Sequence, residues 1–126
     1  MRHQTKKHTL GKAQDQRKAL LRSLATELFV HGEIKTTMAR AKALQPYAEN
    51  VITMAKKGDL NSRRLAGRYI FDKEIGQLID TTTGEIFDAP QEGKKLAKQT
   101  VLRKLFSVIG VKYSSRQGGY TRIFRL

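Results

Sequence analysis

The chain has no cysteine, no tryptophan and only two prolines in 126 residues. Without cysteine there is no disulfide framework, which excludes the usual way a small secreted domain compensates for a thin core. No apolar run exceeds four residues, the longest being 108–111. That is too short for a membrane span or for the apolar centre of a signal peptide, so an intracellular, water-soluble protein is expected. The basic, nearly acid-free N-terminus faintly resembles a transit peptide, but it runs into a strong helix pattern with no small-residue cleavage stretch between them.

Chemistry-bearing residues are equally sparse. The three histidines are His3, His8 and His31. His3 and His8 lack the further ligands that a zinc site requires, and His31 beside Gly32 reads as a helix end. Asp72 with Glu74 is the only close acid pair outside the stretch 80–95. A metal-dependent nuclease needs acids converging on one site, whereas this pair reads as the start of a helix. There is no Walker loop and no dinucleotide fingerprint. No enzyme activity, cofactor, metal or small-molecule substrate is expected.

What the chain has in excess is positive charge. Of its net +14, residues 1–22 hold seven Lys/Arg and one acid, residues 23–93 nine and ten, and residues 94–126 nine and none. The three blocks are therefore +6, −1 and +9. Basic ends flanking a neutral body point to defined surfaces that meet a polyanion.

Length and a 39% hydrophobic content allow one domain with a modest core. Residues 1–14, with Leu10 as their only large apolar residue after Met1, bury too little to offset their ordering entropy and read as a flexible basic arm. Residues 15–126 read as the globular unit. Leu20, Leu21, Leu24, Ala25, Leu28 and Phe29 recur at helical spacing up to Gly32. "EIKTTM", 33–38, alternates like a strand. Thr36 or Thr37 can cap a second helix with Ala41, Leu44, Ala48, Val51, Ile52 and Ala55 on one face, in which Pro46 predicts a kink or a break near Ala43. Asp59 caps a third helix over 60–71, and Asp72 restarts a helix through Ile75, Leu78 and Ile79. Residues 80–95 hold turn formers and four acids and read as a surface insertion, with a small hairpin around Thr83-Gly84. A last helix runs from Leu96 to a stop at Gly110, and 111–113 and 120–125 form two strands of a terminal hairpin. The fold class is α/β (α+β), a two-layer sandwich of four to five helices on a small three-stranded sheet.

The charge maps onto candidate contacts. Arg2, Lys6, Lys7 and Lys12 lie along the arm, where each can reach a phosphate as the segment orders on its partner. Arg17, Lys18 and Arg22 continue onto the first helix, and Arg63, Arg64 and Arg68 form a second patch that a solvated helix face explains equally well. Lys112, Arg116, Arg122 and Arg125 combine with Tyr113 and Tyr120, mixing donors with rings that stack on unpaired bases, with a β-hairpin whose tyrosines belong to the core as the alternative. A strand between the first two helices argues against a helix-turn-helix. Arm-like basic segments suit irregular RNA better than a regular DNA groove, with a small basic DNA-binding nucleoid protein as the alternative and an RNA-processing enzyme a distant third.

The stretches "MRH", "LGK" at 10–12, "RKALLRSLAT" at 17–26, "HGEIKTT" at 31–37, "AKALQPYAENVIT" at 41–53, "AKKGD" at 55–59, "RR" at 63–64 and "GGYTRI" at 118–123 span most of the chain. In that order they resemble the bacterial-type large-subunit ribosomal protein seventeen family. The resemblance implies a structural, non-catalytic constituent of the large subunit near the polypeptide tunnel exit. Its implied partners are large-subunit rRNA and neighbouring ribosomal proteins, with no membrane, in the cytoplasm or in an organellar ribosome of that type. It also implies RNA contacts at Arg2, His3, Lys12, Arg17, Lys18, Arg22, Arg63, Arg64, Gly118, Gly119, Tyr120 and Arg122. Three departures stand out. Gln117 replaces the family's usual proline, Asp15-Gln16 stand where Ser or His is more familiar, and 80–95 has the look of an acidic insertion.

Overall fold

Four helices and a three-stranded antiparallel sheet make up the architecture, in a computed structural model that describes residues 10–126 apart from residue 84. Residues 1–9 of the expected arm, with Arg2, His3, Lys6 and Lys7, lie outside the described residues. Helix α1, Gln14–His31, buries Ala25, Thr26 and Phe29 and ends at Gly32, whose φ of 83° lets its N–H reach the Leu28 carbonyl. Glycine takes that left-handed cap without steric cost. Helix α2, Met38–Lys57, begins at Thr37, whose hydroxyl accepts the Arg40 N–H at 3.3 Å. It passes through Pro46 without the expected break. Proline removes one backbone hydrogen bond there, while Leu44 and Ala48, both buried, hold the helix on either side.

Helix α3, Leu60–Ala66, is capped by Asp59, which accepts the Ser62 N–H at 2.9 Å. It stops short of the expected 71, and a turn through Gly67 leads to the buried Ile70. Strands β1, Glu74–Asp80, β2, Ile86–Phe87, and β3, Leu96–Thr100, follow in the spatial order β2-β1-β3. The last helix, α4, covers residues 101–112 in three segments: α-helical Val101–Lys104, π-helical Leu105–Ile109 and α-helical Gly110–Lys112. Thr100 caps it by accepting the Arg103 N–H at 3.3 Å.

The α+β class is as the pattern predicts, and β1 and β2 pair in the small hairpin expected around Thr83, but the three strands expected over 33–38, 111–113 and 120–125 do not form. Residues 33–37 form no strand; they lead extended into the α2 cap, where Thr37 has φ −70° and ψ 156°. The helix expected over 72–79 is strand β1. A register shift between Glu74 and Leu78, with Gly76 at φ 90°, interrupts the strand alternation and leaves Ile75, Leu78 and Ile79 at a helix-like spacing. Asp72 does cap a helix, but a distant one: its carboxylate accepts the Leu102 N–H at 3.1 Å. Leu96–Thr100, expected to open the last helix, is β3. The stretch 80–95 connects β1 to β3 and carries β2, tied back through Asp80 N–H to Glu85 and Thr81 N–H to Lys95. No strand forms over 111–113 or 120–125; the first completes α4 and the second is an extended tail.

The main apolar cluster sits among the helices, where Ala25 and Phe29 of α1, the α2 face, Ala66, Ile70, Val101 and Leu105 converge. Gly110, expected as a helix stop, lies inside α4, because that helix crosses α2 at backbone distance. A Cβ on Gly110 would fall 2.7 Å from the Ala55 carbonyl oxygen and 2.9 Å from its carbon. Backbone cannot swing aside as a side chain does, so Gly110→Ala should destabilise the protein by about 1–3 kcal/mol. Thermal unfolding checks this, and an unchanged midpoint would show that the two helices separate freely.

Candidate nucleic-acid interface

The acids of the chain are mostly spent internally. Among the described residues, four ion pairs form: Glu27 with His31 and with Lys73, Glu85 with Lys94 at 3.1 Å, and Glu74 with Lys98 at 3.6 Å. The Lys73 contact holds the Glu27 carboxyl below its usual range. Asp59 and Asp80 are held low too, chiefly by the side chains of Ser62 and Thr82 and then by their backbone N–H groups. None of the candidate contacts Lys12, Arg17, Lys18, Arg63, Arg64, Lys112, Arg116 and Arg122 belongs to those four pairs.

The first group surrounds the start of α1. Leu10 at φ 54° and Gly11 at φ 67° form a left-handed turn that sets Lys12 just before the helix. Arg17 is half-buried and Lys18 exposed. Arg22, expected with them, has a different task. Its Nη2 donates to the Gly67 carbonyl at 2.9 Å and the Ile70 carbonyl at 3.1 Å, and its guanidinium lies 4.3 Å from the centre of the Phe71 ring. Arg22 thus joins α1 to the turn after α3. The hydroxyl of Thr26, one turn on, accepts the Phe71 N–H at 2.9 Å and reinforces the junction.

The second group lies on α3, where Arg64 is exposed and Arg63 half-buried with its guanidinium 5.7 Å from the Phe106 ring centre. Arg68, just beyond, is exposed.

The third group is the tail. In place of a hairpin, α4 ends in turns, Gly118 and Gly119 follow at φ 82° and 65°, and the chain then runs back over α2. Nothing lies within 4 Å of a Cβ at either glycine, so backbone sign rather than crowding selects glycine. Three α2 residues dock the tail. Glu49 accepts the Tyr120 N–H at 2.8 Å, Gln45 donates to the Thr121 carbonyl at 3.3 Å, and Lys56 donates to the Tyr120 hydroxyl at 2.7 Å and to the Arg116 carbonyl. The Lys56 hydrogen bond lowers the Tyr120 hydroxyl from its ordinary pKa. The Tyr120 ring packs on Tyr113 with centroids 5.5 Å apart. Tyr120 therefore anchors the loop, while Arg116, Gly118, Gly119 and Arg122 stay exposed around it.

Sequence reasoning missed Gln45, Glu49 and Lys56, because nothing in a helical repeat shows that a solvent face will receive a tail 70 residues on. It missed Lys104 as well, whose Nζ donates to the Val30 carbonyl at 2.9 Å and whose pKa burial lowers. No group of three or more metal-ligating side chains occurs among the described residues. Asp72 and Glu74 point to separate partners, the α4 cap and Lys98.

Comparison with known proteins shows the family. The profile described as Ribosomal protein L17 matches residues 20–126. The chain belongs to the ribosomal protein L17 family. It is 47% identical over 116 residues to the large ribosomal subunit protein bL17 of Staphylococcus carnosus, covering 92% of this chain and 82% of that one. Over the same length and the same shares it is 43% identical to the bL17 protein of Lactiplantibacillus plantarum. The bL17 protein of Oenococcus oeni is 42% identical over 117 residues, covering 93% of this chain and 83% of its own. Membership of the L17 family matches the resemblance drawn from "RKALLRSLAT", "AKALQPYAENVIT" and "GGYTRI".

The two kinds of arginine separate experimentally. Arg22→Met should lower stability by about 2 kcal/mol through the loss of two charge-assisted hydrogen bonds, with a matching drop in the unfolding midpoint. Lys18→Ala should leave the midpoint in place. Denaturant melts of both variants check the contrast, and equal midpoints would count against it.

Proposed function

We propose that this chain is a structural, non-catalytic constituent of the large ribosomal subunit that holds large-subunit rRNA through its basic N-terminal segment, the α3 arginines and the docked C-terminal tail. As a member of the L17 family it is a ribosome-associated protein of the cytoplasm, and not an enzyme. The observation that carries the RNA-binding reading is the separation of charge: among the described residues the ion-paired carboxylates find their partners within the chain, and Lys12, Arg17, Lys18, Arg63, Arg64, Lys112, Arg116 and Arg122 stand outside those pairs. Such cations neutralise phosphates and release counterions.

In this reading Arg2, His3, Lys6, Lys7, Lys12, Arg17 and Lys18 follow the RNA backbone from the N-terminal side, and Arg63 and Arg64 meet it from α3. Lys112, Arg116 and Arg122 meet it from the tail, where Gly118 and Gly119 let backbone N–H groups come close. Tyr120 acts by holding that loop in place. Arg22 is adjacent and braces the surface from behind. The position proposed for the protein is beside neighbouring ribosomal proteins near the polypeptide tunnel exit, with the acidic connection 80–95 turned away from RNA.

The chain should stay with intact large subunits through a high-salt wash in a sedimentation assay. Its release while the subunits stay whole would instead favour a nucleoid-type, salt-dominated binder. Replacing Arg116 and Arg122 together by alanine should weaken binding to large-subunit rRNA and reduce the slope of log affinity against log salt by about 1–2. An unchanged slope would leave the tail a purely structural element.

A further inference from the structure

Between the start of α1 and the middle of α2 the surface opens into a groove of about 540 Å³, within the roughly 300–1,000 Å³ usual for clefts that hold small ligands. Its floor is apolar, formed by Leu21 and Ala43, and its walls carry Gln14, Arg17, Pro46, Tyr47 and Asn50. That set has one cation, two amides, the flat ring of Tyr47, the ring of Pro46 and no carboxylate. Gln14 and Asn50 are exposed and Arg17 half-buried.

Two features prepare the groove for a planar polar guest. The Tyr47 hydroxyl donates to the Tyr69 carbonyl at 2.6 Å, and the two rings meet at 66° with centroids 5.4 Å apart. The Tyr47 ring is thereby fixed before anything binds, so a base packed on it loses little side-chain freedom. Pro46, lying inside α2, brings no N–H to the carbonyl of Lys42 one turn back.

We propose that this groove receives one unstacked nucleotide of the RNA, an inference that rests on the RNA-binding reading above. Arg17 takes the phosphate, Tyr47 and Pro46 cover the base, and the side-chain amides of Gln14 and Asn50 hydrogen-bond its exposed edge. Amides both donate and accept, so they suit a base edge, which alternates donors and acceptors. A base held in a duplex cannot enter, because its edge is paired and its faces are stacked. The occupant is RNA rather than a peptide because Arg17 continues the acid-poor surface of Lys12 and Lys18, and Gln14, Arg17 and Asn50 set hydrogen-bonding groups beside the apolar part of the lining.

The test compares a single-stranded oligouridylate with an RNA duplex of equal length, each titrated with the full chain over a series of salt concentrations. The wild type should prefer the single strand. The double variant Gln14→Ala/Asn50→Ala, confined to exposed side chains, should lose about tenfold in single-strand affinity while its duplex affinity and salt slope stay unchanged. Equal affinities of the wild type for both RNAs, or a double variant that binds like the wild type, would overturn the groove and leave RNA binding standing. Failure to bind either RNA at low salt would overturn both readings. Photocrosslinking of the wild type to thiouridine-substituted RNA is independent of any variant's folding. It should label Tyr47 or its neighbours, and labelling confined to the tail would refute the groove.

Discussion

The contact on which the rest of the structure depends is the backbone approach of α4 to α2 at Gly110 and Ala55. With no side chain at 110, the last helix settles against α2 closely enough to seal Val101 and Leu105 into the core with Val51, Ile52 and Ala55. Close packing of this kind gains dispersion contacts that a small core cannot obtain from volume alone. It also fixes where α4 ends. From that point the tail can return over α2 only along one line, where Glu49, Lys56 and Gln45 meet it.

Helix α2 is thus used on two sides. One face holds the apolar cluster, and another holds the tail and borders the groove at Pro46, Tyr47 and Asn50. The C-terminal tail is docked on this helix, and α1, which carries Arg17 and Lys18, packs against it.

The first three helices were legible because their signals are local. Gly32, Thr37, Gly58 and Asp59 mark ends by cap chemistry that needs no tertiary partner, and the structure uses each of them as a cap. The sheet was not legible, for a reason visible at Gly76. A bulge between Glu74 and Leu78 breaks the two-residue alternation, and Ile75, Leu78 and Ile79 then mimic a helical face. "EIKTTM" and "YTRIF" carry β-branched residues but find no partner strand, and a strand without a ladder leaves its backbone groups to caps, side chains and water. Of the candidate contacts, Lys18, Arg64, Lys112, Arg116 and Arg122 are exposed as expected. Arg22 shared their pattern, yet turned inward to carbonyls 45 and 48 residues away.

By itself the sequence determined α1 and α2 with the cap at Thr37 and the stops at Gly32 and Gly58, the cap of α3 at Asp59, the concentration of positive charge at both ends and the family. All of these follow from composition, short-range spacing or motif order. Only the tertiary structure decided where the strands pair, which arginine braces the fold, and that "RQGGY" is a docked loop rather than a hairpin. Those outcomes rest on partners distant in sequence: Glu49 and Lys56 for the tail, Gly67 and Ile70 for Arg22, and Ala55 for Gly110. Local pattern encodes a residue's preferences, whereas the contact that satisfies them depends on which other segment folding brings within reach.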